Sequence, residues 1–460
     1  QMAEAGNENA ANWLLKLAVK LAERLRISST SVTPQDYLDF LKSVLQAVAT
    51  DHRPQSIYPL LQNNLDKLND NLANILTAWA NKTLNEFEPE TAELIAETIF
   101  YFSISIRHFP LGNVASNKEI GIAGYQAVAT IFTQSYFPEK WAIIQNDLGN
   151  VYRERIRGDK VQNLEAAIAH YQNALLVYTQ SEFPQDWAMI QSNLAIAYFY
   201  RIRGDRAENL EAAITHYQNA LLVRTQSDFS QQWAMTQHNL AIAYFYRIRG
   251  DRAENLEAAI AHYDNALFVR TQSDFPQDWA TTQNNLAAVY SERIRGDRAE
   301  NLEAAIAHYD NALLVRTQSD FPQDWAATQH NLGNAYRDRM RGDRAENIEA
   351  AIAHYDSALL VRTQSDFPQD WAGTQNNLAA TYFDRIRGDR AENLEAAIAY
   401  CNNALLVRTQ SDFPQQWATL QNNLGNAYSN RIRGNRAENI EAAIAHCNNA
   451  LLVYTQSDFP

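Results

Sequence analysis

Tryptophan recurs at Trp141, Trp187, Trp233, Trp279, Trp325, Trp371 and Trp417, and every step is 46 residues. A fixed period of this size constrains the chain strongly. Each copy is one short supersecondary element that cannot bury its apolar face alone, so copies must stack into a solenoid. Phe-Pro precedes the Trp at a constant offset from Phe137-Pro138 onward, with one departure at Phe229-Ser230. The sequence stops at Phe459-Pro460, before the Trp due at position 463, which reads as a truncation inside a repeat.

Each repeat reads as two helices. The first is expected from Pro184 to about Arg203, with Trp187, Leu194, Tyr198 and Ile202 as its apolar stripe. Pro184 suits the first turn, where its missing N–H is not needed. Gly204 is a left-handed stop, and Asp205 caps the next helix with Glu208 three residues on, the spacing of a capping box. The pair returns as Asp251/Glu254, Asp297/Glu300, Asp343/Glu346 and Asp389/Glu392. The second helix carries Leu210, Ile214, Tyr217 and Leu221 on one face, with Ala213 and Ala220 allowing close approach, and is expected to end near Thr225. Arg-Gly-Asp occurs six times, from Arg157-Gly158-Asp159 to Arg387-Gly388-Asp389, and the seventh copy is Arg433-Gly434-Asn435. Glycine stops one helix and aspartate starts the next, so the tripeptide is a turn and not an adhesion ligand.

Residues 1–110 lack the repeat and read as a helical bundle: Asn12 to Ile27, then Thr33-Pro34 to about Ala49, a helix from Ser56 into the eighties, and one from about Pro89 to His108. Residues 111–137 form a transition, in which Glu119 to Thr133 resembles the second helix of a repeat. Residues 138–460 hold seven repeats, and no Gly/Ser-rich or Pro-rich linker separates them from the bundle. The expected class is all-α, an N-terminal bundle merging into an α-α superhelical solenoid. With 39 Lys and Arg against 53 Asp and Glu, the net charge of -14 argues against nucleic acid. Two cysteines, Cys401 and Cys447, exclude a disulfide framework and suit a reducing, cytoplasmic setting. No apolar run is long enough to span a membrane, and the amino-terminal stretch is not a secretory signal.

Asn193-Leu194-Ala195, Tyr198, Ala213, Tyr217 and Ala220 resemble the tetratricopeptide repeat, with Gly149, Gly333 and Gly425 at the small position of Ala195. The departure is length, since that family's standard unit is shorter. The phrases "YPLLQNNLDKL", "HFPLGNVASNKEI" and "WATLQNNLGNAYSNRI" also resemble long-repeat bacterial proteins, cyanobacterial ones especially, many of which carry a caspase-like CHAT protease domain after the repeats. The resemblance implies a non-catalytic scaffold that binds a protein or peptide in its concave groove. Two alternatives stay open: the sensing arm of a larger enzyme such as a CHAT protease, and an architectural solenoid that associates with itself through an uncapped last helix, about Arg436 to Thr455.

No HExxH, Walker loop or GxSxG is present, so no enzyme activity and no cofactor are expected. His170, His216, His262, His308, His354 and His446 form one column, but successive units stack about 10 Å apart, too far for them to share a metal at ~2 Å bonds. Cys401 and Cys447 stand in a tyrosine column and read as small core side chains. Arg201 and Arg203 recur in every repeat and are expected to complement the first helix's negative end and to pair with the acid of the adjacent turn. Arg224, Arg270, Arg316, Arg362 and Arg408, bracketed by Tyr178 and Tyr454, are expected to be a solvated or stacking column.

The binding residues follow from the positions that face inward in the resembling family. Asn193, Asn239, Asn285, Asn331, Asn377 and Asn423 recur on the first helix, where an amide can hold a ligand backbone or can bond the neighbouring helix; both readings stand. Gln191 and its copies read as structural. Met189, Ile196, Phe199 and Tyr200 in one repeat, and Met235, His238, Ile242, Phe245 and Tyr246 in the next, make an apolar and aromatic strip. Glu292, His330, Asp338 and Asp384 make later repeats polar to acidic. The strip either anchors a partner or packs internally.

Overall fold

A computed structural model describes residues 32–456. The helix expected from Asn12 to Ile27 and the terminal Phe459-Pro460 lie outside the described residues. Among those described the chain is all-α, with nineteen α-helices and one 3-10 turn. It divides into two compact units, Gln1–Thr225 and Gln226–Pro460.

In the first unit the bundle helices are Pro34–Thr50, Pro54–Gln62, Asp70–Glu86, Pro89–His108 and Val114–Val128. Thr33 and Asp36 close a full capping box at the first of them. The single helix expected from Ser56 into the eighties is two. Asn64 donates its side-chain amide to the Leu60 carbonyl at 2.9 Å, and Asn69 accepts from the Asn71 N–H at 3.0 Å to open a new helix. Asparagine offers the backbone local partners that compete with helix continuation. The helix expected from Glu119 begins earlier, at Val114, where Asn113 caps it. Leu41, Leu72, Phe102 and Tyr125 belong to one buried cluster that runs on into Ile144, Leu148 and Val151. The bundle and the helix Pro138–Arg153 therefore share a core.

Two helix pairs complete the first unit, Pro138–Arg153 with Lys160–Ala174 and Pro184–Phe199 with Arg206–Leu221. The second unit holds five pairs, from Ser230–Phe245 with Arg252–Leu267 to Pro414–Asn430 with Arg436–Gln456. The turns are as the repeated tripeptide predicts. Gly342 has φ +81°, and Asp343 Oδ1 accepts from the Glu346 N–H at 2.9 Å. No reciprocal bond from Glu346 to the Asp343 backbone accompanies it. Glu346 instead lies 3.6 Å from Arg387 in the next turn.

The first helices stop sooner than expected, Pro184–Phe199 rather than at Arg203. Side chains from the following helix hold this end: Arg206 donates to the Phe199 carbonyl, and Asn209 donates to the Arg203 carbonyl in the turn at 3.0 Å. Asn209 and its copies at Asn301, Asn347 and Asn393 are buried. Ile202 consequently sits in the turn, 59 % exposed, and is not part of the buried stripe. The second helices also end early, at Leu221 rather than near Thr225.

Arg201 and its copies are structural, but their partner is not in the adjacent turn. Arg339 grips Glu303 on the preceding repeat's second helix, Nε to Oε1 and Nη2 to Oε2, both at 2.7 Å. The guanidinium lies 5.5 Å from the Tyr336 ring centroid, and that ring stacks on His354, whose Nδ1 is 2.6 Å from Gln329 Oε1. The same rung recurs at Arg293–Glu257, Arg385–Glu349 and Arg431–Glu395. The histidine column and the Gln191 column are thus hydrogen-bonding packing groups.

Candidate functional site

The first helices present one face of mostly partly buried side chains, of which Met189, Ile242 and Phe245 pack against the core clusters. In the first unit Met189, Asn193, Ile196 and Phe199 are partly buried and Tyr200 is exposed. Tyr200 meets Phe199 edge-on at 5.1 Å, and the Arg206 guanidinium covers the Phe199 ring at 5.1 Å. In the second unit Phe245 and Tyr246 repeat the pair at 5.1 Å, Arg252 lies over Phe245, Met235 is exposed, and Asn239 and Ile242 are partly buried.

His238 and His330, expected to face a groove, are packing groups. His238 is buried, its Nδ1 3.0 Å from Thr282 Oγ1. His330 Nδ1 stands 3.0 Å from Thr374 Oγ1. Burial, then the nearby Arg270, pulls the His238 pKa down to about 3; burial, then Arg362, does the same at His330. Both rings lie edge-on to a buried tyrosine, Tyr263 and Tyr355.

The asparagine column is mostly spent between helices. Asn193 donates to Asn146 at 3.0 Å, and Asn423 to Asn376 at 3.0 Å. Asn377 donates to Asn334 at 2.8 Å, and Asn285 lies 3.4 Å from His238 Nε2. The Asn331 side chain, like that of Asn239, makes no hydrogen bond among the described residues. It lines a cavity of about 210 Å³ together with Ala288, Ser291, Tyr309 and Asn334, and the exposed Glu292 and Asp338 stand beside it. Glu292 takes Arg252 at 2.6 Å and Asp338 takes Arg337 at 3.3 Å. Three helices bound this cavity, and it opens because Ala288 and Ser291 are small. Asp384 is exposed elsewhere on the same kind of face.

The column at Arg224 is not solvated. Arg224, Arg270 and Arg316 are buried, and Arg362 and Arg408 partly so. Arg316 donates to Thr328 at 3.0 Å and Thr281 at 3.1 Å, with Asp324 at 3.8 Å. Arg270 and Arg362 use Thr282 with Asp278, and Thr374 with Asp370. Cys401 is buried, which pushes its thiol pKa up to about 12, and no group of three or more metal-ligating side chains occurs among the described residues. No helix among them is long and apolar enough to cross a membrane.

A family model described as tetratricopeptide repeat matches residues 279–316 and 371–407, each one pair of helices. Two of the chain's helix pairs thus match the tetratricopeptide repeat. No curated protein matches it. Among solved structures, the apo form of RapI superposes with a TM-score of 0.51 at 13% identity, covering 91% of this chain and 98% of that one. An antigen of uropathogenic Escherichia coli with an SLR fold, c5321, gives 0.42 at 14% identity, covering 91% and 77%. The likeness to RapI is one of fold.

Within the repeats, sequence reasoning missed two things. Phe383 continues the column of Phe199 and Phe245 and carries its own arginine, Arg390, at 5.1 Å. The shared feature that would have found it is a Phe seven residues before the Arg that follows Gly-Asp. The buried Asn209 column was hidden because it lies in the otherwise polar "RAEN" phrase.

Proposed function

We propose that this chain is a non-catalytic scaffold that binds a protein or peptide segment along the first-helix faces of its repeats. The observation that carries the reading is the cavity at Asn331, where an amide with a free donor and acceptor lines a concave opening between repeats. Such an amide bonds an extended backbone on both its sides. Tyr200 in the first unit and Tyr246 in the second, each more than half exposed, are the aromatic candidates for apolar anchoring.

The test is panning of a random-peptide display library on the full chain, followed by binding measurements on variants. Asn331→Ala weakens selected peptides by about tenfold or less, one net hydrogen bond, and Ser291→Phe, which fills the cavity, abolishes binding with the circular dichroism unchanged. Failure to enrich any peptide, or equal binding to the filled variant, overturns the reading.

A second reading is self-association through the last helix. Ile444 is 49 % exposed, whereas its counterparts Ile260, Ile306, Ile352 and Ile398 are buried, and Leu451 is exposed as well. Light scattering across a concentration series tests it, and Ile444→Lys abolishes any association that uses this face.

A further inference from the structure

In the arginine column described above Arg270, Arg316 and Arg362 each face a carboxylate; Arg224, with Gln232 at that position, has the Ser192 hydroxyl at 2.8 Å, and the Arg408 side chain has neither. Arg316 has three acceptors: Thr281 on its own repeat's first helix, Thr328 on the next, and the Asp324 carboxylate. At Arg408 the corresponding residues are Gly373, Leu420 and Gln416, none of which supplies a hydroxyl or a carboxylate. The consequence is visible in the structure. The Arg408 side chain makes no hydrogen bond or ion pair among the described residues, and its Nε is buried without a partner. Burial lowers its pKa, and no carboxylate acts to raise it again, whereas Asp278, Asp324 and Asp370 do so at Arg270, Arg316 and Arg362. Its Nη2 lies over Gly373, 3.0 Å from where a Cβ would stand, so a side chain there would crowd the guanidinium.

A half-buried guanidinium without an acceptor is costly, and a carboxylate is the group that stabilises it best. Arg270, Arg316 and Arg362 show what chemistry meets this cation when it is supplied from within: at least one threonine hydroxyl and a carboxylate. We propose that Arg408 is an anion subsite that receives a carboxylate from a bound partner through its terminal nitrogens, in place of the Asp that Gln416 has removed. The subsite rests on the reading that the first-helix face binds a partner, but it does not require the cavity at Asn331.

The experiment uses the full chain labelled with 15N-arginine, with the Arg408 Nε–H signal assigned by its loss in Arg408→Gln. Three peptides are titrated at constant ionic strength: acetyl-Ala-Glu-Ala-amide, acetyl-Ala-Ala-Ala with a free carboxyl terminus, and acetyl-Ala-Gln-Ala-amide. A saturable shift from either acidic peptide and none from the glutamine peptide supports the subsite, and the responding peptide identifies a side-chain or a terminal carboxylate as the source. Gln416→Asp, an exposed substitution that restores the sister repeats' acid, weakens the response by about tenfold, the scale of a charge-assisted bond. Leu420→Thr is the second variant and acts in the same direction, its melting curve serving as the fold control. No shift at millimolar peptide, an equal shift from the glutamine peptide, or an undiminished response in Gln416→Asp overturns the proposal. Asn331→Ala leaves the response unchanged, so failure at the cavity and failure at Arg408 are read separately.

Discussion

The N-terminal bundle and the repeats of the second unit solve the same burial problem in opposite ways. The bundle gathers Leu41, Leu72, Phe102, Tyr125 and their neighbours into one continuous cluster. The repeats have small clusters, one per interface, such as Ile348, Ile352, Tyr355 and Leu378. Between them run polar rungs, Arg339 to Glu303 with Tyr336 and His354, that tie each pair of helices to the one before. A single core is cooperative over its whole extent. A ladder of small cores joined by polar rungs adds stability one interface at a time.

The largest effect that sharpens this contrast is core truncation. Phe102→Ala, at a site with no exposure, is expected to cost about 3–5 kcal/mol. It lowers hydrogen-exchange protection across the bundle, residues 34–128. Leu378→Ala, equally buried, lowers protection only in the helix pairs that touch it. Uniform loss through the second unit would dissolve the distinction.

Acid acts on the repeats through a buried histidine of a first helix. His238 is buried and its pKa is depressed to about 3 by burial and Arg270, so the folded state holds it neutral. Its contribution is fully present above the unfolded value near 6.5 and is lost as pH falls from there toward 3, because the unfolded state then binds the proton and the folded state does not. The loss at pH 4.5 is about 2–3 kcal/mol, read as a difference in denaturant midpoint between the protein and His238→Asn, the residue type found at positions 284 and 376. His330, less covered, contributes less. Parallel pH profiles for protein and variant would refute the dependence of this packing on a neutral ring.

Turns come next. Gly342→Val forces a branched residue to φ +81° and costs about 1 kcal/mol or more, and Asp343→Ala costs about 1 kcal/mol by uncapping the next helix. Melts of both variants check this. The smallest expected effect is Glu303→Gln, about 0.5–1 kcal/mol, since both members of the pair are roughly a quarter exposed and water screens them. A larger loss would mean that the rungs, and not the small cores, hold the repeats together.

The sequence was a far better guide to the repeats than to the bundle. Seven spaced tryptophans, the Gly stop and the Asp cap are local signals repeated until chance is excluded. In the bundle, Asn64 and Asn69 each occur once, and a helix through them is as good a reading as a break. Site residues divide the same way. Asn331 was legible as one of a column, but its freedom was not, because Asn193, Asn285, Asn377 and Asn423 look identical to it in one dimension and find partners only across helices. His238 and His330 were misread as groove groups for the same reason: their threonine partners lie 44 residues on, in the next repeat.

The sequence by itself determined the all-helical class, the period, the turns and their caps, because each depends on residues within a few positions of one another. Only the tertiary structure decided which polar side chains are spent and which are left over. That question is settled by what stands opposite each group after stacking, and it is why Arg316 is satisfied by Thr281, Thr328 and Asp324 while Arg408, in the same column, faces Gly373, Leu420 and Gln416 with its Nε buried and unbonded.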